Sequence, residues 1–137
     1  MFQKVIIIDD NEIDNLIHSR LVTELKFGKQ VEAYSNGKAA ILHLRELLRK
    51  QKQTLPDIIF VDLHMPIMDG WAFIQEYEKL NIHLYKEIPV YILSCAIYTK
   101  EVSKLKSNFI QINFVPKPLT VDALEEILKK HSKVALS

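Results

Sequence analysis

The sequence is poor in the residue types that mark several common kinds of protein. It has one cysteine, Cys95, and 3 glycines among 137 residues. A single cysteine can form neither an internal disulfide nor a cysteine metal cage, which excludes a disulfide-stapled domain. With so few glycines no phosphate-cradling loop can be drawn, and this argues against nucleotide or flavin binding.

Long apolar runs and an excess of one charge are missing as well. No run approaches the roughly 20 apolar residues that span a bilayer, and the N-terminus lacks the apolar segment of a signal peptide. The 18 basic and 17 acidic residues give a net charge of +1, without the basic stripe that nucleic-acid binding needs. We therefore expect a soluble protein of the reducing cytoplasm that binds neither membrane nor nucleic acid. Its length predicts one domain, residues 1–137, with a core of about 3–131.

What the sequence does contain is a regular alternation of strand and helix patterns. Short runs rich in β-branched residues alternate with stretches of helical period, which is typical of an α/β fold around a parallel sheet. The predicted strands are 4–8, 30–34, 57–61, 89–93 and 111–115. Four of them are nearly continuously apolar, as strands covered on both faces are. The second alternates, and this pattern predicts an edge strand.

Apolar stripes predict which face of each helix is buried. The stripes are Ile13, Leu16, Ile17, Leu21 and Leu25; then Ile41, Leu44, Leu47 and Leu48; then Phe73, Tyr77 and Leu80; and finally Leu124, Ile127 and Leu128. Thr120 is expected to cap the last helix. Residues 98–107 have only two apolar anchors, so we expect the helix there to be the most weakly held.

Histidine and cysteine show no metal-binding pattern. The histidines at positions 18, 43, 83 and 131 are scattered over predicted helices, and we expect them to be exposed or partly buried. Cys95 is expected to be a small buried residue.

Polar residues follow the predicted strands at the points where they end. They are Asp9 and Asp10, Asp62, Ser94, and the segment Pro116, Lys117, Pro118. The carboxyl ends of parallel strands share one edge of the sheet, where such folds bind ligands. Three ionised aspartates and one lysine give a charge of about −2, and each carboxylate pair near 4 Å repels by roughly 4 kcal/mol at an effective dielectric of 20. A divalent cation would relieve that repulsion, and an all-oxygen ligand set favours Mg²⁺.

Open coordination positions on such an ion imply a ligand from outside the protein. A phosphoryl group fits best because its oxygens can contact Mg²⁺, Lys117 and the Ser94 hydroxyl together. The carboxylate of Asp62 can also attack phosphorus and form an acyl phosphate.

Five segments carry a resemblance to a known family. They are KVIIIDDN, NGKAA, DLHMPIMDG, ILSCA and FVPKPL, in that order. With them the chain resembles the receiver domain of two-component response regulators over essentially its whole length, as a stand-alone, single-domain regulator. The resemblance implies a doubly wound, flavodoxin-like (CheY-like) three-layer α/β/α fold, with five parallel strands in the order 2-1-3-4-5.

The same resemblance implies a role for each site residue. Asp62 would be the phosphoacceptor. Mg²⁺, with Mn²⁺ as a substitute, would be held by Asp9, Asp10, Asp62 and the backbone carbonyl of His64. Lys117, joined to Pro118 by a cis bond, would pair with the phosphoryl oxygens, and Ser94 would swing to hydrogen-bond them. Phe114 would be the switch aromatic whose rotamer follows that hydroxyl, while Pro66 shapes the loop that presents Asp62.

The implied function is a bacterial phosphorylation switch that catalyses only its own phosphorylation and dephosphorylation. The phosphoryl group would come from a phosphohistidine on a sensor kinase or histidine phosphotransfer protein. Output would run through a protein partner on the face formed by the helix predicted over 98–107, the fifth strand and the last helix. The protein would be a monomer or a phosphorylation-dependent dimer.

Two alternatives remain open. The first is a receiver-like adaptor that binds partners without phosphorylation. The second is a Mg²⁺-dependent aspartate-nucleophile phosphohydrolase of the haloacid dehalogenase type. That family normally has a second Asp two residues past its nucleophile, whereas here His64 follows Asp62 and Asn11 follows Asp9 at that spacing.

Overall fold

A five-stranded parallel sheet forms the centre of the molecule. The computed structural model describes residues 1–95 and 110–135. The strands are β1 (Phe2–Ile8), β2 (Gly28–Tyr34), β3 (Ile58–Asp62), β4 (Val90–Ser94) and β5 (Ile112–Pro116). They lie in the order β2-β1-β3-β4-β5, and all neighbours pair in parallel. The predicted fold and strand order are confirmed, and β2 is an edge strand, as its alternating pattern indicated.

Four helices connect or follow these strands in the described residues. They are α1 (Glu12–Glu24), α2 (Gly37–Lys50), α3 (Gly70–Lys79) and α4 (Val121–Ala135). Each begins at a polar side chain that accepts a hydrogen bond from a backbone N–H three residues later. These side chains are Asn11, Asn36, Asp69 and Thr120, so the predicted cap of the last helix is confirmed. The helix predicted over 98–107 lies outside the described residues. No described helix is long and apolar enough to cross a membrane.

Side chains of β1 alternate between two layers of the core, one on each side of the sheet. Ile6 and Ile8 pack on one side of the sheet with apolar residues of α2 and α3. Val5 and Ile7 pack on the other side with apolar residues of α1 and α4. All four β1 side chains are fully buried. The inward stripes predicted for α2, α3 and α4 are confirmed in these two layers.

The stripe predicted for α1 is wrong. Ile13, Leu16 and Ile17 are 68%, 53% and 52% exposed, so they face solvent. Leu21 and Leu25 are only partly buried against the core. The apolar stripe of this helix is therefore mostly an outer surface.

Two polar residues take the buried positions of α1 instead, together with Val22. Asn15 Nδ2 donates to the backbone carbonyl of Asp9 at 2.8 Å and to that of Tyr34 at 3.2 Å. His18 Nε2 accepts the backbone N–H of Leu119 at 3.2 Å and is 1% exposed, so the expectation of an exposed or partly buried histidine is wrong. Buried polar groups are stable when they are hydrogen-bonded, and these bonds tie α1 to the ends of β1 and β2 and to the segment after β5.

Gly70 allows α3 to begin directly against the end of β3. A Cβ at this position would lie 3.0 Å from Leu63 Cα and 3.2 Å from the Asp62 carbonyl oxygen. The Gly70 N–H also donates to the Leu63 carbonyl at 2.9 Å. A side chain at this position would therefore push the helix away from the strand end that carries Asp62.

Candidate functional site

Three carboxylates meet at the carboxyl edge of the sheet. Asp9 and Asp10 follow β1, and Asp62 is the last residue of β3. One carboxylate oxygen from each lies within 4.8 Å of the others. Asp9 is fully buried and Asp62 is 6% exposed, while Asp10 faces solvent. The cluster therefore has two buried carboxylates and an opening beside the third.

The backbone holds Asp9 more closely than Asp62. Asp9 Oδ1 accepts the N–H of Asn11 at 2.9 Å, and the Asp9 N–H donates to the Tyr34 carbonyl at 3.0 Å. At Asp62 the N–H of His64 reaches Oδ1 at the longer distance of 3.4 Å. Asp9 is thus fixed from both sides, and the carboxylate of Asp62 is bound less tightly.

Lys117 brings a positive charge into the cluster. Its Nζ lies 2.6 Å from Asp9 Oδ2, 2.9 Å from Asp14 Oδ2 and 3.5 Å from Asp62 Oδ2. The backbone N–H of Lys117 donates to the Ser94 carbonyl at 2.9 Å, and its peptide bond to Pro118 is cis. One ammonium group is therefore shared among three carboxylates.

Burial and the neighbouring charges shift the pKa values of both Asp62 and Lys117. Burial raises the pKa of Asp62, and the neighbouring charge of Asp9 raises it further, while Lys117 opposes both. Burial alone would lower the pKa of Lys117, but hydrogen bonds to Asp9 and Asp14 outweigh it, so the pKa of Lys117 is raised. Lys117 stays charged, yet the cluster keeps excess negative charge.

This excess charge and the all-oxygen donor set fit a hard divalent cation such as Mg²⁺. Two of the three carboxylates are buried, so they cannot be neutralised by bulk solvent and ions as freely as exposed ones. A cation bound between them would also reverse the effect that now raises the pKa of Asp62.

The remaining predicted site residues lie at or near this edge of the sheet, except Phe114, which is in the middle of β5. Ser94 ends β4, is 1% exposed and pairs in register with Pro116. Phe114 is partly buried on β5, where it packs against the core layer of α2 and α3, and a cavity of about 380 Å³ lies on the other side of β5, against α4. His64 and Pro66 are exposed in the loop after β3. Cys95 is exposed, so the expectation that it is buried is wrong.

Two residues of the site region had no role in the sequence analysis. Asp14 contacts Lys117 because α1 is rotated relative to the predicted stripe, and its spacing from other acids gave no signal. Ile67 is fully exposed in the loop after β3 and has a φ of 70°. A β-branched residue rarely adopts that conformation, which makes it a local outlier.

The sequence of this chain matches the model of a known protein family. The sequence model described as the response regulator receiver domain matches residues 5–129. The chain belongs to this family. The fold is therefore that of a receiver domain of two-component systems.

Solved receiver structures resemble this chain over nearly its whole length. A two-component response regulator from Cytophaga hutchinsonii has a TM-score of 0.83 and 26% identity, covering 96% of this chain and 98% of that one. A response regulator receiver protein from Dyadobacter fermentans has a TM-score of 0.77 and 27% identity, covering 93% and 96%.

Two curated relatives carry the similar region within much longer proteins. The protein-glutamate methylesterase/protein-glutamine glutaminase of Treponema denticola is 31% identical over 118 residues, which cover 84% of this chain and 28% of that protein. The sensor histidine kinase CheAY of Helicobacter pylori is 28% identical over 131 residues, which cover 95% of this chain and 15% of that protein. This receiver domain therefore spans less than a third of either relative.

Proposed function

We propose that this receiver domain accepts a phosphoryl group on Asp62 from a phosphohistidine of a sensor kinase or histidine phosphotransfer protein. The observation that carries the proposal is the position of Asp62, a barely exposed carboxylate with a raised pKa beside buried Asp9 and the ammonium of Lys117. We further propose a cytoplasmic location, where a kinase has access to ATP.

Mg²⁺, with Mn²⁺ as a substitute, would be held by Asp9, Asp10, Asp62 and the backbone carbonyl of His64. The support is the excess negative charge and the all-oxygen ligand set of the cluster. When bound, the ion would neutralise charge on the phosphoryl oxygens during transfer.

The residues of the chain supply the rest of the chemistry. A carboxylate oxygen of Asp62 attacks phosphorus, the O–P bond forms, and the P–N bond of the donor histidine breaks. The imidazole leaves with the electron pair of that bond and takes up a proton. Lys117 then pairs with the new phosphoryl oxygens, and the Ser94 hydroxyl donates to one of them.

The output would follow from movement at β5 and α4. Drawing Ser94 toward the phosphoryl group favours one of two conformations, and Phe114 would follow it by changing rotamer. Phe114 packs on the side of the sheet that α2 and α3 cover, so its change of rotamer would alter the surface formed by β5 and α4 through a shift of β5 itself. We propose that face, together with residues 98–107, as the output surface of a monomer or a phosphorylation-dependent dimer.

The exposed apolar face of α1 suggests where a protein donor docks. Ile13, Leu16 and Ile17 lie on the helix that begins two residues after Asp10, so they flank the opening to Asp62. We propose that this face binds the phosphohistidine-bearing protein. Leu16→Ser should slow transfer from such a protein while leaving transfer from a small phosphodonor unchanged.

We also propose that the protein is a switch without an external substrate. The position where an aspartate-nucleophile phosphohydrolase has its second Asp is occupied by His64, whose side chain is exposed. Turnover of a generic phosphate ester would contradict this.

The test of phosphoacceptor function uses phosphoramidate, a small donor with the same P–N bond as phosphohistidine. Intact-mass spectrometry should show one added phosphoryl group in the presence of Mg²⁺, and none in metal-free protein or in Asp62→Asn. Folded wild-type protein that stays unmodified in the presence of Mg²⁺ would favour the unphosphorylated adaptor.

A further inference from the structure

Lys117 has a counter-ion that phosphoryl transfer does not use. Its Nζ lies 2.9 Å from Asp14 Oδ2 but 3.5 Å from Asp62 Oδ2. In the structure the ammonium is therefore closer to Asp14 than to the proposed phosphoacceptor.

The backbones on both sides keep Asp14 and Lys117 together. The Asp14 N–H donates to the side chain of Asn11 at 3.0 Å, which fixes the first turn of α1. One turn further on, His18 Nε2 accepts the N–H of Leu119, two residues after Lys117. The N–H of Lys117 itself donates to the Ser94 carbonyl. Because α1 and the segment after β5 are joined at these points, the ion pair is part of a fixed interface.

The environment makes this pair stronger than an ordinary surface ion pair. The side chain of Lys117 is 11% exposed and that of Asp14 is 33% exposed. Partial burial reduces screening by water and salt, so the attraction exceeds that of fully exposed charges. The hydrogen bond to Asp14 is also among the contacts that raise the pKa of Lys117.

We propose that Asp14 is a positioning residue that holds Lys117 back from Asp62 and competes with the phosphoryl group for it. The inference rests on the proposed phosphoacceptor function. A phosphoryl group on Asp62 draws the ammonium toward its own oxygens, so the contact with Asp14 must lengthen or break. Asp14 thereby stabilises the unphosphorylated state and sets how readily this site is occupied.

The test measures the binding of beryllofluoride, a phosphoryl mimic, in saturating Mg²⁺ by isothermal titration calorimetry. Asp14→Asn keeps the size of the side chain and removes its charge, and we expect it to bind beryllofluoride about fivefold more tightly, equivalent to ~1 kcal/mol. Asp14→Glu keeps the charge and should restore an affinity within about twofold of the wild type. Glu12→Gln is the matched control, because it removes an exposed acid from the same turn of α1 and should leave the affinity unchanged.

The outcomes separate this inference from the proposed function. If the wild type binds beryllofluoride but Asp14→Asn binds it equally or more weakly, Asp14 does not compete for Lys117 and only the inference fails. An equal gain in beryllofluoride affinity in Glu12→Gln would show that the effect comes from net charge alone, and this would also overturn the inference. If folded wild-type protein binds Mg²⁺ but no beryllofluoride, the proposed function fails and the inference fails with it. Circular dichroism of each variant verifies that the compared proteins are folded.

Discussion

At the scale of single residues, the site contains more negative than positive charge, and two of its three carboxylates are buried. Asp9 and Asp62 are both buried, and Lys117 is closer to Asp9 than to Asp62. Sequence reasoning could predict that these residues meet, because strand ends in a parallel sheet share one edge. It could not predict how the ammonium is shared, since that depends on distances of a few tenths of an ångström and on the rotation of α1.

Removing the charge of Asp62 should stabilise the metal-free protein. Burial and the charge of Asp9 raise the pKa of Asp62, so the ionised group opposes folding at pH 7. Asp62→Asn should therefore increase the free energy of unfolding, measured by urea denaturation in EDTA. A lower urea midpoint for this variant at the same slope would contradict the electrostatic account.

Removing Lys117 should have the opposite effect, and Mg²⁺ should reverse it. Lys117→Ala leaves the fully buried Asp9 without its ammonium partner, so the free energy of unfolding in EDTA should fall by about 3 kcal/mol. Mg²⁺ should recover more stability in this variant than in the wild type, because the ion replaces the missing positive charge. Equal stabilisation of both proteins by Mg²⁺ would mean that Lys117 and the ion do not neutralise the same carboxylates.

At the scale of elements, α1 is where the sequence pattern and the structure disagree. Its apolar stripe predicts a face buried on the sheet, yet the helix turns Asn15 and His18 inward. The hydrophobic periodicity of a sequence shows which residues are apolar, but not which backbone groups need a hydrogen-bond partner. Here the carbonyls of Asp9 and Tyr34 and the N–H of Leu119 provide those partners. The stripes of α2, α3 and α4 predicted their buried faces correctly.

This orientation of α1 can be tested by a pair of substitutions. Leu16→Ser should change the free energy of unfolding by less than about 0.5 kcal/mol, because Leu16 is half exposed. Val22→Ala should lower it by about 2 kcal/mol, because Val22 is fully buried between α1 and the sheet. If Leu16→Ser were the more damaging change, the helix would be rotated as the sequence pattern predicted.

His18 should make the attachment of α1 sensitive to pH. Burial lowers the pKa of His18, against the charges of Asp14 and Asp9 that raise it, while Lys117 adds to the lowering. The unfolded chain therefore binds a proton before the folded one, and stability should fall as the pH drops from about 6.5 toward the lower folded pKa. Protonation would also leave Nε2 unable to accept the N–H of Leu119.

The measurement is urea unfolding at pH 7.5 and 5.5 in Asp62→Asn protein, which removes the opposite contribution of that carboxylate. Adding His18→Asn should reduce the loss of stability between these two pH values. If the pH dependence of stability is unchanged in the His18→Asn variant, other groups cause it.

At the scale of the whole molecule, the order and direction of the strands could be predicted from the sequence. The five predicted segments correspond to the five strands, and the alternating one lies at one edge of the sheet; β5, whose segment is nearly continuously apolar, lies at the other edge and is mostly only partly buried. This works because parallel strands buried on both faces give continuous apolar segments, and the handedness of crossovers leaves few topologies. The helix predicted over 98–107 lies outside the described residues, so its placement stays a prediction.

The central claim is that Asp62 carries the phosphoryl group, and borohydride trapping tests it most directly. The protein is incubated with Mg²⁺ and acetyl phosphate and then reduced, which converts a phosphorylated aspartate into homoserine that peptide mass spectrometry can locate. The account predicts homoserine at position 62 alone, and none when Mg²⁺ is omitted. Homoserine at Asp9 or Asp10, or an unmodified chain under conditions where Mg²⁺ binds, would contradict it.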